Sequence, residues 1–285
     1  MTKVAVTGAH GKAGRAVVAD LLAHGYEVLA SDLTGPVSVD SDLGTEMIHA
    51  DLTDYGQALE AIAGADQVVH LGNIPSPGRA TEPETINRNN TMNTNIFLAA
   101  ARLKVSKVVW ASSETTLGLP FDTPPRFAPV DEAHFPVPTT TYALSKVVAE
   151  TMAGQISAWS GIPFVGLRIS NIFRPGDYEA VPSFQSDAQL RRWNLWGYVD
   201  VRDVAQAVRL GLETPTTGSQ NVIIAAADTI MDRPSADLLA EVFPGVPLAR
   251  EVVGNETLLA IGGARELLGY APAHSWRDHV VGGRV

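Results

Sequence analysis

Tyr142 and Lys146 stand four residues apart in Tyr142-Ala143-Leu144-Ser145-Lys146, and Ser112-Ser113 lie just beyond the apolar run Lys107–Ala111. On a helix, positions i and i+4 share a face, so this phenol and ammonium lie side by side. A neighbouring Lys⁺ favours the phenolate and lowers a tyrosine pKa from its ordinary value of about 10. A partly ionised tyrosine takes a proton from an alcohol as hydride leaves the carbon. The lysine is also suited to holding a ribose. A serine hydroxyl at a strand end holds a substrate oxygen while charge develops on it, or simply caps the next turn. Hydrolysis by a serine fits less well, because the chain has no Gly-x-Ser-x-Gly elbow.

A second constellation opens the chain. Lys3–Thr7 is a short apolar strand, followed at once by Gly8-Ala9-His10-Gly11-Lys12-Ala13-Gly14. Such a turn aims backbone N–H groups and a helix N-terminus at a pyrophosphate. Gly8 makes the tight turn, Gly11 lets phosphates approach, and Gly14 lets the helix sit close to the sheet. His10 and Lys12 fill slots that need no glycine. Asp32 ends the second strand, where a carboxylate accepts both ribose hydroxyls of an adenosine and repels a 2'-phosphate. No arginine follows in Leu33-Thr34-Gly35-Pro36, so NAD is expected rather than NADP. Asp51-Leu52 either bonds and covers an adenine ring or supplies a cap and a core residue. Leu71-Gly72-Asn73 either runs its backbone close to the cofactor or is an ordinary loop start.

Apolar strands alternate with helical patterns through Ile169. Strands are expected at Glu27–Ser31, Glu46–His49, Gln67–Leu71, Lys107–Ala111 and Phe164–Ile169. Helices are expected at Lys12–His24, residues 54–63, 86–103 and 142–160, with a proline-rich loop over 114–141. This predicts an α/β fold: a doubly wound, Rossmann-type parallel sheet with helices on both faces. Beyond Ser170 the expected pieces are a loop over 171–183, a short helix over 184–193, a strand at 198–200 and a helix at 201–212. A strand at 220–224 and helices at 234–242 and 256–268 follow, the last ended by Gly269. Residues 1–169 are expected to form the cofactor domain. Residues 170–285 are expected to be mostly a small substrate lobe, with about 198–225 returning to the main domain.

Composition narrows the classes. The 285 residues are 45% apolar and 18% charged, with 31 acidic against 21 basic residues and a net charge of -10. No basic stripe exists, so nucleic acid is not an expected partner. The absence of cysteine excludes disulfides and thiolate catalysis. No leader precedes the first strand, and no apolar run approaches a membrane span, so a cytoplasmic location and no membrane partner are expected. The seven histidines are scattered without ligand spacing, so no metal is expected. His134 either borders the cleft or lies on the surface. Phe184, Trp193 and Trp196 either line a substrate wall or pack the lobe.

In combination these motifs resemble the extended short-chain dehydrogenase/reductase family, in its NAD-dependent epimerase/dehydratase branch. The resemblance runs through Thr7–Gly14, Asp32, Asp51-Leu52, His70-Leu71-Gly72, Asn90, Ser112-Ser113 and Tyr142–Lys146. It continues through Leu167–Asn171, Tyr198–Ala205, Ala264–Tyr270 and Ser275-Trp276. It implies Ser113 as the catalytic serine, Tyr142 as acid/base and Lys146 as its partner. Asn90 would support active-site geometry or a proton relay. Only residues 172–197 lie between the Asn171 and Tyr198 motifs, little room for a nucleotide-diphosphate site. The layout is closer to the short uronate dehydrogenases.

Arg191-Arg192 would then clamp a carboxylate, or else form a solvated helix end. Ser76, Ser113, Glu114, Thr115, Asn171 and Arg174 complete the candidate substrate set. Glu114-Thr115 departs from the Asn-His that uronate dehydrogenases resemble here. Glu114 repels a carboxylate if it faces one, and otherwise binds sugar hydroxyls or points away. A 4,6-dehydratase would resemble Asp-Glu at this point, so dehydration is not expected. The reading is an NAD-dependent oxidoreductase acting on a hydroxyl or lactol of a sugar or sugar acid. A nucleotide-sugar 4-epimerase and a non-catalytic NAD-binding protein are the alternatives. Such family members often pair as homodimers through the Tyr142 and Asn90 helices.

Overall fold

The computed structural model describes residues 1–34 and 42–279; Gly35-Pro36 of the stretch after Asp32 therefore lie outside the described residues. Seven strands form one parallel sheet: β1 (Lys3–Thr7), β2 (Glu27–Asp32), β3 (Met47–His49), β4 (Gln67–His70), β5 (Lys107–Ser113), β6 (Phe164–Ile169) and, later in the chain, β9 (Ser219–Ile224). Their order is β3-β2-β1-β4-β5-β6-β9. The chain thus winds outward from β1 through β2 and β3, then returns beside β1 as β4 and winds the other way. The reversal between β1 and β4 opens a crevice at the carboxyl ends of the strands, the usual ligand position in such sheets.

Alternate residues of each strand serve opposite faces, as the two-residue repeat requires. Val4, Val6, Val69, Val109 and Val165 pack under helices α1 (Lys12–Ala23) and α5 (Val201–Glu213). Ala5, Val68, Val108, Trp110 and Phe164 pack under α2 (Tyr55–Glu60), α3 (Glu82–Leu103) and α4 (Thr141–Ser160). Phe97 of α3 anchors that second face, edge-on to Trp110, Phe164 and His70. Burial on both faces explains why the strands read as nearly continuous apolar runs. A two-stranded pair, β7 (Ile172–Phe173) and β8 (Val199–Asp200), stands apart from the sheet. Two 3-10 segments, Pro175–Phe184 and Ala188–Asn194, with α6 (Ser235–Val242) and α7 (Gly262–Leu268), complete the fold. Among the described residues no helix is long and apolar enough to cross a membrane.

Several boundaries differ from the sequence expectation. Helix α3 starts at Glu82 rather than near Ile86, because Thr81 caps the Glu84 N–H, a proline occupies the first turn, and Glu82 and Glu84 sit at the positive helix end. Ser112 and Ser113 lie within β5, paired with Arg168 and Ile169. The expected helix over 256–268 is helical only from Gly262. Its first part is drawn into tertiary pairing instead: Glu256 bridges Asp228 and Leu259 bridges Val130 of the proline-rich loop. Residues 171–183 carry β7 and most of a 3-10 segment rather than a plain loop.

Candidate active site

The glycine turn sits where β1 and β4 part. Gly8 has φ of +72°, and a Cβ there would lie 2.6 Å from the Gly72 nitrogen. A Cβ on Gly14 would fall 2.1 Å from the Gly8 carbonyl oxygen, whereas one on Gly11 would meet only that oxygen, at 3.1 Å. Glycine at 8 and 14 is therefore imposed by the protein's own packing. At Gly11 the wall is left open. The first turn of α1 leaves the Lys12 and Ala13 amides without intrahelical acceptors, a ready anion site. The Lys12 side chain crosses to the far wall, where it donates to Ile172 O (3.0 Å) and Asp177 (2.8 Å).

Asp32 accepts the His10 N–H at 2.9 Å and the Thr34 N–H at 3.1 Å. The cation beside this corner is Arg15 of α1, which contacts the His10 ring at 2.9 Å and is held by Asp42 at 2.6 Å. The sequence expectation concerned an arginine after β2, whereas this one stands on α1. Asp51 accepts from Thr53 N–H and Oγ1, which lower its pKa, and Asp54 caps α2. Leu52 is buried beneath Gly72, where a Cβ would lie 2.8 Å from its Cδ1. Leu71 bonds back to Thr7 O at 3.1 Å, keeping the strand ends together.

Lys146 Nζ donates to Asn73 Oδ1 (2.9 Å) and Ala111 O (2.7 Å). From Asn73 a buried chain continues to Asn93 Oδ1 (3.0 Å), which also meets His70 Nε2 (2.9 Å); His70 Nδ1 shares a bond with Thr7 Oγ1 (2.7 Å). Burial and the Lys146 charge push His70 down to about 3, so its ring is neutral. Asn73 thus acts through its side chain, where the sequence suggested a close backbone. Asn90 is half-buried, with an Oδ1 that has no partner. The neighbouring Asn89 instead clamps Ile74 N–H and O, at 2.8 and 3.2 Å. A side-chain amide's direction on a helix is set by a 100° step per residue, so a one-residue choice changes the face.

Tyr142 is 7% exposed, and Lys146 Nζ lies 5.8 Å from its ring centroid. The expected lowering of the phenol pKa does not hold in the protein alone. Burial pushes Tyr142 up to about 12, Ser113 pulling down by a hydrogen bond and Glu114 adding a further push up. Burial also pushes Lys146 down to about 7, with Glu150 opposing. Taking both groups from water disfavours the charged form of each.

Ser113 faces this pair and its Oγ accepts from Thr115 N–H (3.2 Å) and Oγ1 (2.9 Å). Ser112 points to the opposite side, donating to Glu150 Oε1 at 2.6 Å; Glu150 in turn pairs with Arg168 at 3.0 and 2.8 Å. Strand alternation separates the two serines. Arg168 falls within the Leu167–Asn171 motif, whereas Glu150 lies in none of the sequence motifs.

Glu114 is buried, accepts from Asn194 Nδ2 at 3.4 Å, and is pushed up to about 7 by burial. Arg191 is buried against Phe173, Phe184 and Trp193 rather than solvated. The Asn171 amide, with its oxygen toward Arg191, accepts from both terminal nitrogens at 2.9 and 3.1 Å. Arg192 and Ser76 are half-buried, and neither side chain has a hydrogen-bond partner among the described residues. Arg174 is exposed and pairs with Asp177 at 3.3 Å. A cleft of about 490 Å³ opens between Lys12 and the segment Asn171–Phe173 with Gly176–Asp177.

His134 is buried, not at the surface: it bonds Leu117 O (2.6 Å) and accepts the Arg126 N–H (2.9 Å), tying down the proline-rich loop. Trp196 packs in the core, while Phe184 and Trp193 flank Arg191. Among the described residues no three His, Asp or Glu side chains gather to hold a metal.

The sequence pattern of the NAD-dependent epimerase/dehydratase family matches residues 4–227. This chain belongs to that family. It is 32% identical over 193 residues to NAD-dependent glucose-6-phosphate dehydrogenase of Haloferax volcanii, spanning 62% of this chain and 72% of that one. It is 28% identical over 230 residues to uronate dehydrogenase of Pseudomonas putida, spanning 79% and 76%. The fold matches an NAD-bound short-chain dehydrogenase/reductase superfamily protein of Agrobacterium tumefaciens with a TM-score of 0.74, at 23% identity, over 97% of this chain and 94% of that one. NAD is the family's cofactor, and this member's own geometry fits it. The open wall at Gly11, the free amides opening α1 and the Asp32 carboxylate together suit a pyrophosphate and a ribose.

Proposed function

We propose that this enzyme oxidises a hydroxyl or lactol carbon of a sugar or sugar acid, with NAD as the acceptor. The observation that carries the reading is the convergence of Ser113, Tyr142 and Lys146 at the carboxyl end of β5, beside the glycine turn. In this reading Ser113 and Tyr142 hold the substrate oxygen. Tyr142 takes its proton, and NAD, when bound, supplies a positively charged ring that accepts the hydride. Lys146, fixed by Asn73 and Ala111, holds the nicotinamide ribose and supplies the protein's own positive charge to the phenol. The Asn73–Asn93–His70–Thr7 chain is the support that keeps that ammonium in place. Residues 172–197 form compact 3-10 segments packed on one another, which favours a small free sugar over a nucleotide sugar.

The test is NADH formation from NAD across neutral aldoses, uronic acids and nucleotide sugars. Net NADH from a free sugar is expected. An epimerised nucleotide sugar with no net NADH would move the assignment to a 4-epimerase. NAD binding without turnover on any substrate would leave a binding protein.

A further inference from the structure

We infer that Glu114 and Arg191 form a charge-balanced wall of the substrate site that selects an uncharged, hydroxyl-bearing sugar over its carboxylate counterpart. This deepens the dehydrogenase reading and rests on it. Glu114 follows Ser113 directly, and Ser113 pairs with Ile169 in the sheet, so Glu114 stands beside Ser170 and Asn171 at the strand ends. It is near enough to Tyr142 for its charge to act on the phenol. Asn194 bridges the two partners: its Nδ2 donates to Glu114 Oε1 (3.4 Å) and to Gly197 O (2.7 Å), and Arg191 Nη2 donates to the same carbonyl (3.3 Å). Across this bridge the two charges attract, each favouring the other's ionised form.

The cluster also has open valences. Arg191 Nε, a donor, and Asn194 Oδ1 and Glu114 Oε2, both acceptors, are buried without a hydrogen-bond partner. Buried polar groups are normally satisfied, and a cluster left open beside the proposed catalytic serine points to a ligand that completes it. A hydroxyl both donates and accepts, so a polyol can answer the donor and the acceptors alike. A carboxylate only accepts; it can answer Arg191 but leaves Asn194 unpaired and sets a second negative charge near Glu114. Two other cations, Lys12 at the cleft and the exposed Arg174, are already held by Asp177. Arg192 is the rival carboxylate clamp.

The experiment compares glucose with glucuronate and galactose with galacturonate, as kcat/KM with NAD and as calorimetric affinity for the NAD-loaded enzyme. Wild-type protein is expected to favour the neutral member of a pair at least tenfold. Glu114→Gln, which keeps the shape and removes the charge, should move the ratio at least tenfold toward the acid. Glu114→Gln/Arg191→Gln should lose that gain. Wild-type preference for the acid, abolished by Arg192→Ala, would overturn the proposal, as would an unmoved ratio in Glu114→Gln. If that variant does not fold, the wild-type ratio decides alone. Binding of the neutral sugars without any NADH would sink the dehydrogenase reading but uphold the selectivity; binding of neither sugar would overturn the selectivity itself.

Discussion

The cofactor end and the proposed substrate end of the candidate site are built from different material. At the cofactor end the shape comes from backbone: Gly8, Gly14 and Gly72 approach so closely that a single Cβ would collide, and the hydrogen-bonding groups are main-chain amides and one carboxylate. At the proposed substrate end the shape comes from side chains: Glu114 after β5 meets Asn194 and Arg191 of one 3-10 segment, and buried polar atoms are left open. The first arrangement suits a ligand common to a whole family. The second, in the proposed reading, sets this chain's own preference. Between them lies Lys146, whose ammonium is tied to both its neighbours and backed by a closed chain of amides and an imidazole.

The sharpest way to separate chemistry from either end is Tyr142→Phe. Turnover should fall by about a thousandfold, within the range of acid–base catalysis, while NAD affinity, read by fluorescence titration, stays unchanged. Retained turnover would remove Tyr142 from the mechanism. The cofactor end is broken next by Gly14→Ala. Its methyl meets the Gly8 carbonyl at 2.1 Å, and overpacking there should cost about 3 kcal/mol of stability. Gly11→Ala, with its single contact at 3.1 Å, should leave stability within about 1 kcal/mol and still weaken NAD binding. Equal thermal shifts in the two variants would contradict the division between packing glycines and a ligand glycine.

The substrate end is tested by pH. Glu114 is raised to about 7 from 4.5 by burial, so the native state keeps its proton to higher pH than the unfolded chain does. The sign follows: the fold loses stability as pH rises from about 4.5 to 7, and the loss levels off above that. Glu114→Gln should therefore be more stable than wild type by about 3 kcal/mol at pH 8 and close to equal at pH 4, in urea titrations at the two pH values. A constant difference would mean that Glu114 is solvated. The smallest effect belongs to Asp32→Asn. Removing its charge should narrow the preference for NAD over NADP about tenfold, or about 1.4 kcal/mol. An unchanged ratio would transfer that discrimination to the Arg15–Asp42 corner.

Much of the cofactor end was legible without the structure because its determinants are local. A strand, a glycine turn and a helix start are written in consecutive residues, and Asp32 is placed by the end of the next strand. The same is true of Tyr142 and Lys146, one helical turn apart. Asn89, Asn90 and Asn93 stand close together on α3, and only packing tells that Asn93 meets His70 of β4. Glu256–Ile261 has helical character in isolation, but Val130 and Asp228 pull it into bridges. His134 carried no local sign that Leu117 and Arg126 would enclose it.

By itself, then, the sequence determined the doubly wound sheet, the glycine cradle and the Tyr–Lys face, because hydrophobic period, turn chemistry and helical spacing act over a few residues. The tertiary structure alone decided that Tyr142 is held near 12 rather than lowered, that Ser113 and not Ser112 faces it, and that Glu114 answers Arg191. Those outcomes depend on burial and on partners distant in the chain, and a charge responds to what surrounds it in space rather than to what precedes it in sequence.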